Sequence, residues 1–291
     1  MWLAVILLAG CAVSGTVGSG ASAKAGPAAI TLQNTGSDTL VNLALAWAEK
    51  YMELHPDIRI SVTGGGSGTG IAALINRTIQ IANASREMSA EEIAAAKENG
   101  VTPVRFTVAL DAIAVVENPR NPVAGLTISQ VSDIYTGKLK RWDQAGGADR
   151  PVVLLSRESN SGTYVYFLEQ VVRQGNPNGP ELFSPETLLM SSSEGITSEV
   201  RQNPNAIGYD GLGYVTADVK KVAIARKVGA PFVLPSAQSV RDGSYPISRP
   251  LFMYTSGQPD VQIRAYLDWV IHDGQEQVKE LGFVPLPGSG K

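Results

Sequence analysis

Short apolar runs alternate with stretches of helical periodicity along this chain of 291 residues. "AAITLQN" (28–34) reads as a strand, and "TLVNLALAWAEKYMEL" then places Leu40, Leu43, Ala44, Trp47, Tyr51 and Leu54 on one helix face, with Pro56 ending the helix. "IRISVT" (58–63) is the next strand, "GIAALINRTI" a helix and "QIANAS" (80–85) a strand. "SAEE" (89–92) has the spacing of a capping box and opens a helix ending near Gly100. "DAIAVVEN" (111–118) is a strand that stops before Pro119, "TISQVSDIYTG" a short helix, and "RPVVLLSRE" another strand. "SGTYVYFLEQVVR" predicts a helix with Val165, Leu168, Val171 and Val172 inward, and "VQIRAYLDWVIHDGQEQVKEL" a final amphipathic helix. Such alternation argues for parallel sheets flanked by helices.

A recurring unit stands out within this pattern. Four times a predicted strand delivers a small polar turn at its C-terminal end: "GSDT" (36–39), "GGGSGTG" (64–70), "SREMS" (85–89) and "RESNSGT" (157–163), three of them opening a helix directly. In open α/β sheets ligands bind at that edge. Helix starts offer unpaired backbone N–H groups and the positive end of the dipole, so converging starts form an anion cage made largely of neutral groups. Ser37, Ser67, Ser161 and Thr163 add hydroxyl donors. Arg157 ends an apolar strand, where a cation needs an anion nearby, and its planar fork suits a tetrahedral oxyanion. A nucleotide-binding loop is excluded at 63–70, because no Lys-Ser/Thr follows the glycines. Each residue also has a structural reading. Ser37 and Asp38 are good N-caps, Ser161 and Thr163 can cap the helix of Tyr164, and Arg86 beside Glu87 can be a solvated ion pair.

Composition narrows the classes. Lys and Arg (24) nearly balance Asp and Glu (27), and the net charge of −3 gives no basic field for nucleic acid. The two histidines, His55 and His272, read as surface residues, no Gly-x-Ser-x-Gly elbow follows a strand, and no His/Asp cluster has metal spacing. No catalytic residue, metal site or cofactor is therefore expected. The single cysteine, Cys11, ends "LLAGC" behind the apolar segment "MWLAVILLA", which is too short to span a bilayer but suits a secretory leader. "LAGC" resembles the lipobox of bacterial lipoproteins. That resemblance implies a signal peptide over 1–10, lipidation of Cys11, and an exported protein held at the cell membrane or in the periplasmic space. Residues 11–28, rich in Gly, Ala and Ser, read as a flexible tether.

"GSDT", "GGGSGTG", "IANASREM" and "SRESNSGTYVYF", in this order and followed by "NAIGYDGLGYV" (205–215), resemble the phosphate-binding protein (PstS) family of bacterial phosphate ABC importers. The resemblance covers residues 30–287. It implies an α/β fold of the type II periplasmic binding protein kind, with two domains of mixed sheets flanked by helices, joined by two crossover strands around a ligand cleft. Domain 1 would comprise 29–111 plus 254–291, and domain 2 would comprise 112–253. Carried over by motif, the contacts to inorganic phosphate would be Ser37, Asp38 and Thr39, Ser67, Ser85 and Arg86, and Arg157, Ser161, Gly162 and Thr163. The best-studied branch of the family has Ser-Asp where this chain has Ser85-Arg86, with that aspartate accepting the phosphate proton, and a threonine in place of Asp38. A compensated swap follows, in which Asp38 accepts the phosphate proton and Arg86 supplies positive charge opposite it. The implied partners are the permease subunits of the importer and, through the lipid anchor, the membrane, with the protein itself a monomer. The alternatives are a receptor for molybdate, tungstate or sulfate on the same fold and, more distantly, a secreted phosphatase-like hydrolase.

Overall fold

The computed structural model describes residues 30–288; Cys11, the leader and the tether lie outside the described residues. The first half of the chain contains β1 (Ile30–Gly36), α1 (Asp38–Leu54), β2 (Ile58–Thr63), α2 (Ser67–Ile75), β3 (Ile81–Ala84), α3 (Ala90–Glu98) and β4 (Val104–Glu117). There follow β5 (Gly125–Thr127), α4 (Ile128–Tyr135), β6 (Val153–Arg157), α5 (Gly162–Phe167), β7 (Leu188–Met190), α6 (Ser193–Gln202) and β8 (Ala206–Gly211). The remainder is β9 (Lys220–Lys221), β10 (Ala223–Ala225), α7 (Ala237–Arg241), β11 (Ser248–Thr255), α8 (Val261–Ile271) and α9 (Gln275–Glu280).

The main sheet has the strand order β2-β1-β3-β11-β4-β8-β6-β7, with β9 beside β4, and β5 pairs separately with β10. β1 lies parallel to β2 and β3, whereas β11 is antiparallel to both β3 and β4. The long strand β4 passes from one half to the other. Its residues up to Ala112 pair with β11, and Ile113 to Glu117 pair with β8.

Side chains alternate across a strand, so each half of the sheet buries two apolar faces. On β11, Leu251 and Met253 join the cluster around Trp47, Tyr51 and Tyr266, while Phe252 and Tyr254 join Ile71, Leu74 and Ala82 on the opposite face. On β4, Ile113 and Val115 face Tyr135, Phe167 and Tyr209, while Ala114 and Val116 face Ile196 and Val200. Trp47 is wholly buried and its indole N–H donates to the Gly274 carbonyl at 2.6 Å, which fixes α1 against the turn after α8.

The expected alternation of strands and helices is present, and all four polar turns run into helices. The capping box at Ser89 forms in full: its hydroxyl accepts from Glu92 N, and the Glu92 carboxylate accepts from Ser89 N. Three boundaries differ. α2 begins at Ser67, inside the glycine loop rather than after it. The helix after Ser161 changes to a π turn over Leu168–Val172, which shifts its phase, so that Phe167, Val171 and Val172 are buried while Val165 and Leu168 are half-buried. The last amphipathic stretch is two helices, interrupted by His272–Gly274. Leu54, the final position of the expected inner face of α1, is exposed.

Candidate functional site

The four turns meet at the edge of the sheet where the halves join. From the first half come the start of α1 (Ser37 to Thr39), the start of α2 (Ser67) and the end of β3 (Ser85); from the second half come the end of β6 (Arg157) and the start of α5 (Ser161 to Thr163). All of these residues except Asp38 are buried. Ser85 N donates to Ser67 Oγ at 3.0 Å, and the two hydroxyls lie 3.3 Å apart. Opposite them stands Gly162. A Cβ there would lie 2.4 Å from Ser67 Oγ and 2.6 Å from Ser85 Oγ, so only glycine lets the two walls close to this distance.

Other bonds tie the walls directly. Thr39 Oγ1 and Thr163 Oγ1 are 2.8 Å apart, Gly68 N donates to the Asn160 carbonyl at 3.0 Å, and Asn160 Nδ2 donates to the Gly65 carbonyl at 2.9 Å. Gly66 sits at φ 90°, in the region that favours glycine, with the Asn160 carbonyl only 2.7 Å from where a Cβ would stand. The glycines of 64–70 therefore serve close approach as well as the turn.

Asp38 holds both walls together. Its Oδ1 accepts from Gly65 N at 2.8 Å, and its Oδ2 accepts from Arg157 Nη2 at 2.6 Å. Ser37 occupies the N-cap position of α1 but makes no side-chain cap bond; Ser161 does cap, accepting from Thr163 N at 3.2 Å. Arg157 is saturated almost entirely by protein. Besides Asp38, it donates from Nε to the Met190 carbonyl, from Nη2 to the Ser191 carbonyl and from Nη1 to Ser193 Oγ. Four of its five N–H groups are thus spent, so it brings charge and one remaining donor rather than an open fork. Behind it, Ser193 Oγ donates to Asp210 Oδ1 at 2.8 Å. Burial pushes the Asp210 carboxyl up to about 7, against the pull of the Arg157 charge.

Arg86 lies beside the glycine loop, its Nη2 3.8 Å from where a Gly68 Cβ would stand, and it is paired with a carboxylate. Its Nη1 and Nη2 each donate to the Glu92 carboxylate at 2.7 Å, and Nη1 also donates to the Glu87 carbonyl. Burial disfavours its charge, yet the bonds and charge of Glu92 outweigh this and its pKa is raised. The reason is local: Glu92 belongs to the capping box that starts α3, one turn away, and this fixed carboxylate captures the guanidinium. The neighbouring Glu87 pairs instead with Arg105.

Sequence reading missed Arg249 on β11 and Asp111 on β4, which lie opposite each other in the strand register. Arg249 Nη2 donates to Asp111 Oδ2 at 3.1 Å, to Thr163 Oγ1 at 2.9 Å and to Thr39 Oγ1 at 3.4 Å. Burial raises the Asp111 pKa, with the Arg249 charge pulling the other way. Only the pairing of strands distant in sequence brings this pair to the cleft, and no local pattern announces it.

His55 and His272 are exposed, and among the described residues no group of His, Cys, Asp and Glu is arranged to hold a metal ion. No helix among the described residues is long and apolar enough to cross a membrane. A cavity of ≈ 270 Å³ lined by Glu87, Met88, Ile93, Lys97, Arg105 and Tyr254 shares none of the site residues.

The chain matches the family model of the PBP superfamily domain over residues 21–273. It is 36% identical over 282 residues to the phosphate-binding protein PstS of Pseudomonas aeruginosa, covering 91% of this chain and 85% of that one. The chain belongs to the PstS family of the PBP superfamily. Another PstS relative, from Bacillus subtilis, is 30% identical over 261 residues, covering 88% of this chain and 81% of that protein. Among solved structures, one described as a phosphate ABC transporter substrate-binding protein with bound phosphate, from Clostridium perfringens, superposes with a TM-score of 0.78 at 30% identity. That match covers 88% of this chain and 99% of the other. An ABC-type phosphate transport receptor from Vibrio cholerae gives a TM-score of 0.70 at 27% identity, covering 88% and 100%. The type II periplasmic binding protein fold expected from the motifs is the fold of these PstS relatives.

Proposed function

We propose that the chain captures inorganic phosphate between its two halves and delivers it to the permease of a phosphate ABC importer. One observation carries this reading: the starts of α1, α2 and α5, with Ser85, converge from both halves on one point, close enough that Gly162 excludes any larger residue. Helix starts and hydroxyls gathered in this way suit a small oxyanion. The names of the relatives support the choice of phosphate.

In this reading Ser37, Thr39, Ser67, Ser85, Ser161, Gly162 and Thr163 supply donors, Arg157 supplies charge, and Asp38 supplies the acceptor. Both Asp38 oxygens keep a lone pair beyond their bonds to Gly65 and Arg157. Phosphate at neutral pH carries a proton for such an acceptor, and sulfate does not. A carboxylate left unmatched beside sulfate costs about 1–3 kcal/mol or more, which rejects it. Arg86 belongs to the frame of α3 in this scheme rather than to the ligand.

The lobes would be 29–111 with 254–291, and 112–253, hinging where β4 and the start of β11 pass between them. Donors on both walls make the closed form the one an anion favours, and the importer would recognise that form. The protein would act as a monomeric receptor, lipid-anchored through Cys11 outside the cytoplasmic membrane, with no cofactor and no reaction of its own. Titration calorimetry with phosphate, arsenate and sulfate at neutral pH tests the core of this. Saturable binding of phosphate with much weaker sulfate is expected; absence of phosphate binding, or steady turnover of a chromogenic phosphate ester, overturns it.

A further inference from the structure

The crossover between the halves carries a buried ion pair whose partners also reach the cleft. Arg249 and Asp111 are both almost fully inaccessible. Asp111 Oδ1 accepts from Leu212 N at 3.0 Å, and Oδ2 takes the guanidinium. Arg249 also stands over the Tyr166 ring, 5.5 Å from its centroid. Its Nη2 has two hydrogens serving three acceptors: Asp111 Oδ2, Thr163 Oγ1 and Thr39 Oγ1. Its Nη1 is buried without a partner.

The consequence follows from counting protons. The Thr39 and Thr163 hydroxyls own two protons between them and share a single bond of 2.8 Å. An arginine can accept neither, because a guanidinium has donors only. With Arg249 on the oxygen side of both hydroxyls, the proton not used in the Thr39–Thr163 bond has no acceptor among the described residues. It is left for an incoming anion. Without Arg249, Asp111 would be free to draw a hydroxyl proton away from the cleft.

We infer that Arg249 is a positioning residue of this site, which occupies the Thr39 and Thr163 oxygens from the crossover strand and thereby leaves one of their two hydroxyl protons for the ligand once the two walls meet. This rests on the phosphate reading above. Thr39 lies on the first wall, Thr163 on the second and Arg249 between them, so the arrangement is complete only in the closed form. A lysine does not substitute, since its ammonium sits on a flexible stem without the second donor, Nε, that Arg249 also places on Asp111 Oδ2 at 3.4 Å to fix the guanidinium plane.

The test is calorimetric titration of inorganic phosphate into the full chain. Arg249→Gln with Asp111→Asn removes both charges together, leaves the net charge unchanged and retains an amide oxygen for Leu212 N. Phosphate affinity is expected to fall at least tenfold. In a Thr39→Val/Thr163→Val background the same double replacement is expected to change affinity less than threefold, because the groups it acts through are gone. Melting temperatures without phosphate monitor folding, and Arg249→Lys, which keeps a cation beside Asp111, provides a second variant with an expected loss of at least fivefold. The inference is overturned if either variant binds within twofold of the unmodified protein, or if the loss is equally large in the valine background, as a purely structural pair would give. If the unmodified protein itself does not bind phosphate, the proposed function falls first; if it binds and the variants match it, only the role of Arg249 falls.

Discussion

Replacing Gly162 by alanine tests whether the two walls meet as closely as the site requires. The added Cβ would fall 2.4 Å from Ser67 Oγ, 2.6 Å from Ser85 Oγ and 3.0 Å from Ser67 Cβ. Ordinary contact begins near 3.4 Å, so with the Ser67 and Ser85 hydroxyls held in place by their bonds to each other and to Ser85 N the walls must part by about 1 Å. The hydrogen bonds across the gap cannot absorb that. Asn160 Nδ2 to Gly65 O at 2.9 Å and Gly68 N to Asn160 O at 3.0 Å would stretch past bonding distance, as would Thr39 to Thr163 at 2.8 Å. Each is worth about 0.5–1.5 kcal/mol net, so losing two or three costs the closed form about 3 kcal/mol. A ligand that binds the closed form then binds roughly a hundredfold more weakly.

The open form should not suffer from the same change. Gly162 opens α5 without a positive φ, and alanine is the better helix former by up to about 1 kcal/mol. Thermal unfolding without phosphate should therefore be unchanged or slightly improved, while calorimetric phosphate affinity collapses. Gly257→Ala is the matched control, since nothing lies within 4 Å of its added Cβ. Phosphate binding by the Gly162 variant within twofold of the unmodified protein would refute the closed geometry and, with it, the site.

Asp38→Asn keeps an oxygen for Gly65 N but removes the carboxylate opposite Arg157; phosphate affinity should fall by about 1–3 kcal/mol and the preference over sulfate should narrow, and an unchanged preference assigns the acceptor elsewhere. Arg86→Gln should change phosphate affinity less than threefold while lowering the melting temperature through loss of the Glu92 pair, and a tenfold loss of affinity would return Arg86 to the ligand. Burial pushes Asp210 and Glu117 each up to about 7, above their values of about 3.9 and 4.3 in an unfolded chain. The folded state thus holds protons that the unfolded state has released. The stability these groups allow is complete below about pH 4 and is lost as pH rises to about 7, at up to about 1.4 kcal/mol per pH unit for each acid. Melting temperature should fall between pH 5 and 7.5, and Glu117→Gln with Asp210→Asn should flatten that slope; parallel curves for the variant and the unmodified protein would contradict it.

What the sequence revealed and what it hid divide by range of interaction. The strand-turn-helix units were legible because a β-to-helix switch at Ser37, Ser67 or Ser161 is encoded within a few residues, and the Ser89 capping box within four. Motif resemblance then grouped turns that periodicity alone could not bring together. The phase of the helix after Ser161 was misread because a single π turn over Leu168–Val172 leaves no mark in the apolar pattern. The pairing of Arg86 with Glu92 was not foreseen, although that carboxylate stands six residues later in a motif already assigned to capping. Arg249 offered no cue, since an arginine before a proline in an apolar strand looks like an edge position. Its role depends on a register that sets it against Asp111, 138 residues away.

The charges around the site also suggest how selectivity and motion are joined. Arg86 is paired with Glu92, Arg157 with Asp38 and Arg249 with Asp111, so each cation near the cleft has its own carboxylate. Had these arginines been unpaired, a buried charge without compensation would have destabilised the empty protein, and any anion would have relieved it. Pairing removes that indiscriminate attraction. What remains for an anion are short-range groups: first-turn amides, the Ser67 and Ser85 hydroxyls, and the Thr39 and Thr163 pair. These act only at hydrogen-bond distance, and they come from opposite walls, so an anion gains them all only by drawing the walls together. In the function proposed above Asp38 adds an acceptor, and its bond to Arg157 spans the same gap. On that proposal, the contacts that would distinguish a protonated oxyanion from an unprotonated one are the contacts that hold the cleft shut, and a ligand that cannot supply the proton would forfeit closure along with the bond.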